Sequence, residues 1–258
     1  MLFLIQSNVI YDPDRERLYD VLNELGLPYK AIDYVPGVTN IEVETTSNNV
    51  FVYGSVLMAK EAAQYKKWYP GSFYGGNHLY ANHSSFYVDN MINTNVTIST
   101  INDEIDWKEG KELFIKPYQV AKLFTGRVFN QSEWEDFKYE LKNNPYKNIS
   151  GNELIQISMP RKIFKEARLW VIGGQIVEAS YYKFSEETLF EKTVPPEGID
   201  FAKRMIKLFE PAEAFVMDIG YTELGWKIVE INCVNSSGFY PNTNIRSIVN
   251  ALNIYFKK

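Results

Sequence analysis

Met217-Asp218-Ile219-Gly220, followed after a short interval by Trp226-Lys227-Ile228-Val229-Glu230-Ile231-Asn232, is the stretch whose reading decides the fold. Successive side chains on a strand alternate faces, so Glu230 and Asn232 project together while Val229 and Ile231 point into a core. A hairpin closed by residues 221–225, with Gly225 supplying the positive φ such loops need, places Asp218 roughly opposite Glu230 on the same face. Two carboxylates and an amide oxygen then converge. That donor set suits Mg²⁺, which takes a few carboxylates and completes its octahedron with water and phosphate oxygens. The alternative is a polar edge on an ordinary hairpin.

Upstream, Leu113-Phe114-Ile115-Lys116-Pro117 reads as a short apolar strand that ends in a cation and is stopped by proline. A lysine at a strand end can meet a polyphosphate as a point charge, or simply be solvated. The following Ala121-Lys122-Leu123-Phe124-Thr125-Gly126-Arg127 offers a small-residue turn with further cations and backbone donors. Neither GxxxxGK[ST] nor GxGxxG occurs in the chain, which removes the usual support for a phosphate-loop or dinucleotide-binding protein.

Between these pieces, residues 166–172 and 175–183 are two runs rich in β-branched and aromatic residues flanking Gly173-Gly174, the composition of a tight primed hairpin. Arg168 and Lys183 then lie near one open end. Glu166 and Arg168 share a face, so they either pair with each other or place the guanidinium for an anionic ligand.

In this order, FIKP, LIQIS, MDIG and VEINCVNSSGFY resemble the ATP-grasp superfamily of ATP-dependent carboxylate ligases, with the specific likeness over residues 110–258. The hairpin EARLWVIGGQIVEASYYK is similar to that of ligases adding glutamate to a protein tail. The nearest likeness is to small divergent ATP-grasp proteins of phages and bacteria, proposed to be peptide or amino-acid ligases. The resemblance implies an α/β (α+β) ATP-grasp fold preceded by a small parallel α/β domain. It divides the chain into residues 1–108 and 109–258, with a nucleotide-covering part at 109–158 and a metal and catalytic part at 159–258.

It further implies that Asp218, Glu230 and Asn232 hold Mg²⁺ and that Lys116 touches the α and β phosphates of ATP. Residues 122–126, with Lys122, Thr125 and Gly126, form a lid. Ile155, Gln156, Ile157 and Ser158 form an adenine hinge working through main-chain groups, and Arg168 and Lys183 face the transferred phosphate and the acyl group. The sequence departs from the family in three places. The lid lacks the Gly-Gly-x-Gly pattern, Val216 stands where an arginine often precedes the metal aspartate by two residues, and no earlier ATP-binding lysine is obvious between residues 85 and 110.

Asn235-Ser236-Ser237-Gly238-Phe239-Tyr240 leaves the metal strand as a polar loop. Ser236, Ser237 and Gly238 are candidates for holding an acyl oxygen, the alternative being a plain turn into the last helix. The reaction expected is amide or peptide bond formation through an acyl phosphate, on an amino acid or a peptide or protein tail. A catalytically weak ATP- or peptide-binding module and an ATP-dependent phosphotransferase are the other readings.

The 258 residues are 45% hydrophobic and 23% charged, enough for one large or two modest cores. A net charge of −5 argues against a nucleic-acid surface. No apolar run approaches a membrane span. The single cysteine, Cys233, excludes an intramolecular disulfide and fits a reducing, cytoplasmic compartment, as a core or loop thiol.

Residues 2–6, 29–34 and 50–53 read as strands of a small parallel sheet. The first crossover helix is capped by Asp12-Pro13, carries Leu18, Val21, Leu22 and Leu25 on one face, and ends at Gly26. Residues 71–85, with His78 and His83, read as a loop whose histidines make polar contacts or are exposed. The polar stretch 93–110 reads as the domain boundary, and Pro195-Pro196 introduces a helix over 197–209 with Phe201, Met205 and Ile206 inward.

Overall fold

A computed structural model of the chain describes residues 1–9, 15–43, 45, 47–75, 78–108, 110–118, 123–144, 149–184 and 193–257, with the backbone alone at 183 and 184. Asp12 and Pro13, the expected cap of the first helix, lie outside the described residues. The first elements are β1 (Leu2–Gln6), α1 (Arg15–Glu24), β2 (Tyr29–Ile32), β3 (Asn49–Tyr53), α2 (Val56–Ala62), β4 (Tyr69–Gly71) and α3 (Tyr80–Tyr87). There follow β5 (Thr97–Thr100), β6 (Leu113–Pro117), β7 (Arg127–Phe129), α4 (Gln131–Lys142) and β8 (Leu154–Ser158). The chain closes with β9 (Ile163–Ile172), β10 (Gln175–Phe184), α5 (Pro196–Leu208), β11 (Ala214–Thr222), β12 (Gly225–Cys233) and α6 (Ile245–Tyr255).

Contacts divide these elements into two compact units, residues 1–90 with 163–258, and residues 91–162. The first unit carries a parallel sheet, β2-β1-β3-β4, and an antiparallel sheet, β10-β9-β11-β12. Leu4, Ile5, Val50 and Val52 have no exposed surface because the parallel sheet is covered on both faces, which is why its strands read as unbroken apolar runs. On one face Phe3, Ile5 and Phe51 join Leu18 and Leu22 of α1, Val249 and Leu252 of α6, and Trp170 and Val216 of the antiparallel sheet. On the other face Leu4, Val50 and Val52 pack with Met58 and Ala62 of α2.

The second unit is the antiparallel sheet β5-β8-β6-β7, whose Ile115, Ile155 and Ile157 pack with Trp134 and Leu141 of α4. Its strand β5 pairs with β8 and precedes residue 108, where the sequence places its domain boundary.

Gly173 and Gly174 have φ of +55° and +71°, the two left-handed positions that join β9 to β10. In α5, Pro196 occupies the first turn and Phe201, Met205 and Ile206 are buried, as their spacing demands. Two expectations are corrected. Residues 80–87 form a helix rather than a loop, because Tyr87 is fully buried against Phe209. His83 of that helix and His78 before it are 3% and 6% exposed, so neither is a surface residue.

Candidate functional site

Three adjacent strands of the antiparallel sheet set Arg168, Asp218 and Glu230 in one row: Asp218 stands opposite Arg168 of β9 and opposite Glu230 of β12. The turn that makes this register is closed by Gly225 at φ +84°. Asp218 pairs with Glu230 but Ile219 pairs with Ile228, so Val229 is an extra residue in β12, a bulge that bends the strand beside the carboxylates. Asn232 follows on the same face, opposite Val216. Val216 itself lies in the apolar cluster with Trp170 and Phe239, so the place of the family's second arginine is occupied by core.

Asp218 has no exposed surface, Asn232 is half-buried and Glu230 is exposed. Arg168 grips Asp218 through a two-point fork, Nε to Oδ1 at 2.9 Å and Nη2 to Oδ2 at 2.8 Å. The Asn232 amide nitrogen lies between the two carboxylates, 2.8 Å from Glu230 Oε1 and 3.3 Å from Asp218 Oδ2. A half-turn of that amide exchanges its donor for its oxygen.

Burial pushes the Asp218 carboxyl up to about 7, against the pull of Arg168, and the charges of Glu230 and Glu166 push the same way. On Arg168 burial works against the charge, but the Asp218 carboxylate outweighs it and raises the group above its ordinary value. The row therefore holds more negative charge than Arg168 balances, and a cation placed on Asp218 and Glu230 relieves it. Among the described residues no three His, Cys, Asp or Glu side chains converge on one point. Two carboxylates and one amide fit Mg²⁺, which leaves most of its positions to water and phosphate.

The expected choice for Arg168 between Glu166 and an anionic ligand is corrected by register: its ion-pair partner is Asp218, directly across the strand pair. Its Nη1 donates to Gly238 O at 2.9 Å. Tyr182 and Tyr240 stack at 4.4 Å, and the guanidinium lies 4.9 Å from the Tyr240 ring and 5.8 Å from the Tyr182 ring. Glu166 accepts the Tyr182 hydroxyl. This tyrosine pair, 58 residues apart in sequence, left no signal in the sequence. Lys183 stands across from Glu166 in β10, and its side chain lies outside the described residues.

In the loop after β12, the Ser237 hydroxyl donates to Cys233 O at 2.9 Å, and Gly238 presents a carbonyl to Arg168. Ser236 belongs to the 3₁₀ turn Val234–Ser236 and its side chain hydrogen-bonds with Cys233. Cys233 is a free buried thiol, pushed up to about 12 by that burial.

In the second unit, Lys116 of β6 stands directly opposite Gln156 of β8. Gly126 packs against the lysine so closely that a Cβ on it would lie 2.6 Å from Lys116 Cβ and 2.9 Å from the Phe114 ring. Thr125 is exposed beside it, while Lys122, the other end of the expected lid, falls outside the described residues. Strand β8 is paired on both flanks, with β5 and with β6, so the main-chain groups of Ile155, Gln156 and Ile157 are engaged in the sheet. Only the Ser158 end lies beyond the β5 pairing. The Gln156 side chain is 3% exposed and its Oε1 has no hydrogen-bond partner.

A carboxylate-bearing antiparallel sheet and a smaller antiparallel sheet with a strand-end lysine are the parts of an ATP-grasp protein. The chain belongs to that class: residues 54–252 match the model of an ATP-grasp domain family, the third family of its clade. Comparison with curated proteins finds none that matches. Among solved structures, the ATP-grasp ligase PsnB complexed with minimal precursor is similar at a TM-score of 0.62 and 14% identity, covering 98% of each chain. PsnB also appears complexed with minimal precursor, Mg and ADP, at a TM-score of 0.57 and 15% identity, over 99% of this chain and 97% of that one.

D-alanine--D-alanine ligase from Bacillus anthracis is similar at a TM-score of 0.64 and 10% identity, over 99% of this chain and 93% of that one. The macrocyclase MdnC from Microcystis aeruginosa MRC, bound with precursor peptide MdnA, is similar at a TM-score of 0.55 and 11% identity, over 100% of each chain. At such identities the likeness is one of fold. Among the described residues no helix is long and apolar enough to cross a membrane.

Proposed function

We propose that this protein is an ATP-dependent carboxylate–amine ligase that forms an amide or peptide bond through an acyl phosphate. The observation that carries the reading is the row of Asp218, Glu230 and Asn232 on neighbouring strands, with negative charge in excess of Arg168. Those three residues would hold Mg²⁺, which when bound supplies charge neutralisation at the phosphates. Lys116 adds a point charge to the polyphosphate, with Thr125 and Gly126, and Lys122 before them, closing over it. The main chain at the Ser158 end of β8 is the remaining candidate for adenine.

In the first step a substrate carboxylate oxygen bonds to the γ-phosphorus and the bond from that phosphorus to the β–γ bridging oxygen breaks, releasing ADP. In the second an amine nitrogen bonds to the acyl carbon, phosphate leaves, and the amine proton passes to solvent. Arg168 keeps Asp218 in place and retains two N–H groups beyond the three engaged with Asp218 and Gly238 to meet the transferring group, with Lys183. PsnB and MdnC were solved with peptide precursors, which supports an amino acid or a peptide or protein tail as substrate.

Acceptor-dependent release of ADP, with a product whose mass equals the two substrates less water, tests this reading. Glu230→Gln is expected to abolish that turnover while leaving the melting temperature within a few degrees; full activity in the variant would remove Glu230 from the site. ATP binding with no acceptor-dependent ADP would favour a catalytically weak ATP- or peptide-binding module, to which the missing glycine pattern of the lid points. A stable phosphorylated product would favour a phosphotransferase.

A further inference from the structure

Strand β12 ends at Cys233, one residue past Asn232, and the chain leaves through the 3₁₀ turn Val234–Ser236. A strand end has no ladder partner beyond it, so the last side chain of the metal row needs another anchor. We propose that Asn235, with the Tyr53 hydroxyl behind it, is the clamp that positions Asn232 and Gly238; the inference rests on the Mg²⁺ set of the ligase reading. Asn235 has no exposed surface. Its Nδ2 donates to Val52 O at 2.6 Å and to Gly71 O at 3.1 Å, and its Oδ1 accepts the Phe73 N–H at 2.7 Å. Its own carbonyl accepts the Gly54 N–H at 2.9 Å.

The geometry explains the residue type. The β3–β4 ladder stops at the pair Phe51 and Gly71. One residue on, the Asn235 carboxamide joins the Val52 carbonyl to the Gly71 carbonyl, so a side chain from far along the chain makes the next rung of the parallel sheet. Asparagine presents two donors and an acceptor at that reach, whereas aspartate offers no donor, serine one, and glutamine a longer stem.

The segment beyond is held as well. Tyr53 Oη donates to Ser237 O at 3.0 Å, and the Phe239 ring stacks on Tyr53 at 5.2 Å and on Trp170 at 4.9 Å. Arg17 of α1 donates to the carbonyls of Tyr240 and Thr243 at 3.1 and 2.7 Å. Asn232 thus precedes a fixed segment, and Gly238, the acceptor of Arg168, lies inside it. Asn235 is a positioning residue that acts through these two, as outer partners of a metal site do.

The test titrates the full-length protein with ATP at a series of Mg²⁺ concentrations, by calorimetry, for wild type, Asn235→Ala and Tyr53→Phe, with thermal melts alongside. The expected result is that Asn235→Ala needs about tenfold more Mg²⁺ for half-maximal ATP binding, that Tyr53→Phe shifts in the same direction by less, and that binding without Mg²⁺ is unchanged. A purely structural role lowers the folded fraction and leaves the Mg²⁺ requirement of the folded protein alone. A cooperatively melting Asn235→Ala with the wild-type Mg²⁺ requirement overturns the clamp. If that variant does not melt cooperatively, Tyr53→Phe decides, and an unchanged requirement overturns it. A wild type that binds ATP with no Mg²⁺ requirement overturns the metal reading itself, and that failure shows before any variant is compared.

Discussion

Asp218 shows how a single residue carries both the charge and the pH behaviour of the site. Its carboxyl is raised to about 7 chiefly by burial, so below that pH a proton occupies the group that a cation needs. Binding of Mg²⁺ must displace this proton, and the sign follows: affinity rises with pH up to about 7 and levels above it, by at most about tenfold per pH unit. Titration with Mg²⁺ alone at pH 6 and pH 8, with no nucleotide to titrate, is expected to show tighter binding at pH 8; equal or weaker binding at pH 8 would contradict the assignment of Asp218. Gly126 gives a second residue-scale prediction. The Cβ of Gly126→Ala would sit 2.6 Å from Lys116 Cβ, so the lysine stem has to move. Loss of one charged hydrogen bond, about 1.5 kcal/mol or more, is expected to weaken ATP binding by about tenfold, with the melting temperature as control. Wild-type affinity in Gly126→Ala would remove Lys116 from the phosphate grip.

At the scale of elements, the two hairpins of the antiparallel sheet were legible because their turns demand particular residues. Gly173 and Gly174 at left-handed φ, and Gly225 likewise, fix register on either side of Asp218. Gly173 is the more constrained, since a Cβ there would lie 2.2 Å from the Tyr255 ring of α6 as well as at φ +55°. Gly173→Ala is expected to cost about 1–2 kcal/mol from the backbone alone, lowering Tm by about 2–8 °C. An unchanged Tm would show that the turn relaxes freely. What the sequence hid was the pairing between elements that are distant along the chain. That Glu166 and Arg168 share a face was readable; that β11, entering 50 residues later, puts Asp218 across from Arg168 was not. Strand β8 was recognisable as a strand, but its place between β5 and β6, which engages the main chain of residues 155–157, depends on tertiary pairing. Strand β4 is three residues long and contains Pro70, a composition that gives no strand signal.

For the whole molecule, the order of the motifs carried more than any one of them. A strand lysine, a hairpin with an arginine and an acid strand paired with an E-x-N strand pointed to the family, which residues 54–252 match. Asn235 was illegible for the opposite reason. Its partners, Val52, Gly71 and Phe73, lie more than 160 residues away and are main-chain atoms, so no side chain marks the pairing. The acidic balance of −5 is compatible with a local cationic grip, since Lys116 and Arg168 act within a few ångströms and not through the net field. The central claim, that the Asp218, Glu230 and Asn232 row binds the metal of a nucleotide, meets its most direct test in calorimetric titration of the protein with ATP, with and without Mg²⁺, beside Glu230→Gln. The account predicts Mg²⁺-dependent ATP binding in the wild type that is lost in the variant. Binding of equal strength in both proteins, or none in the wild type, would contradict it.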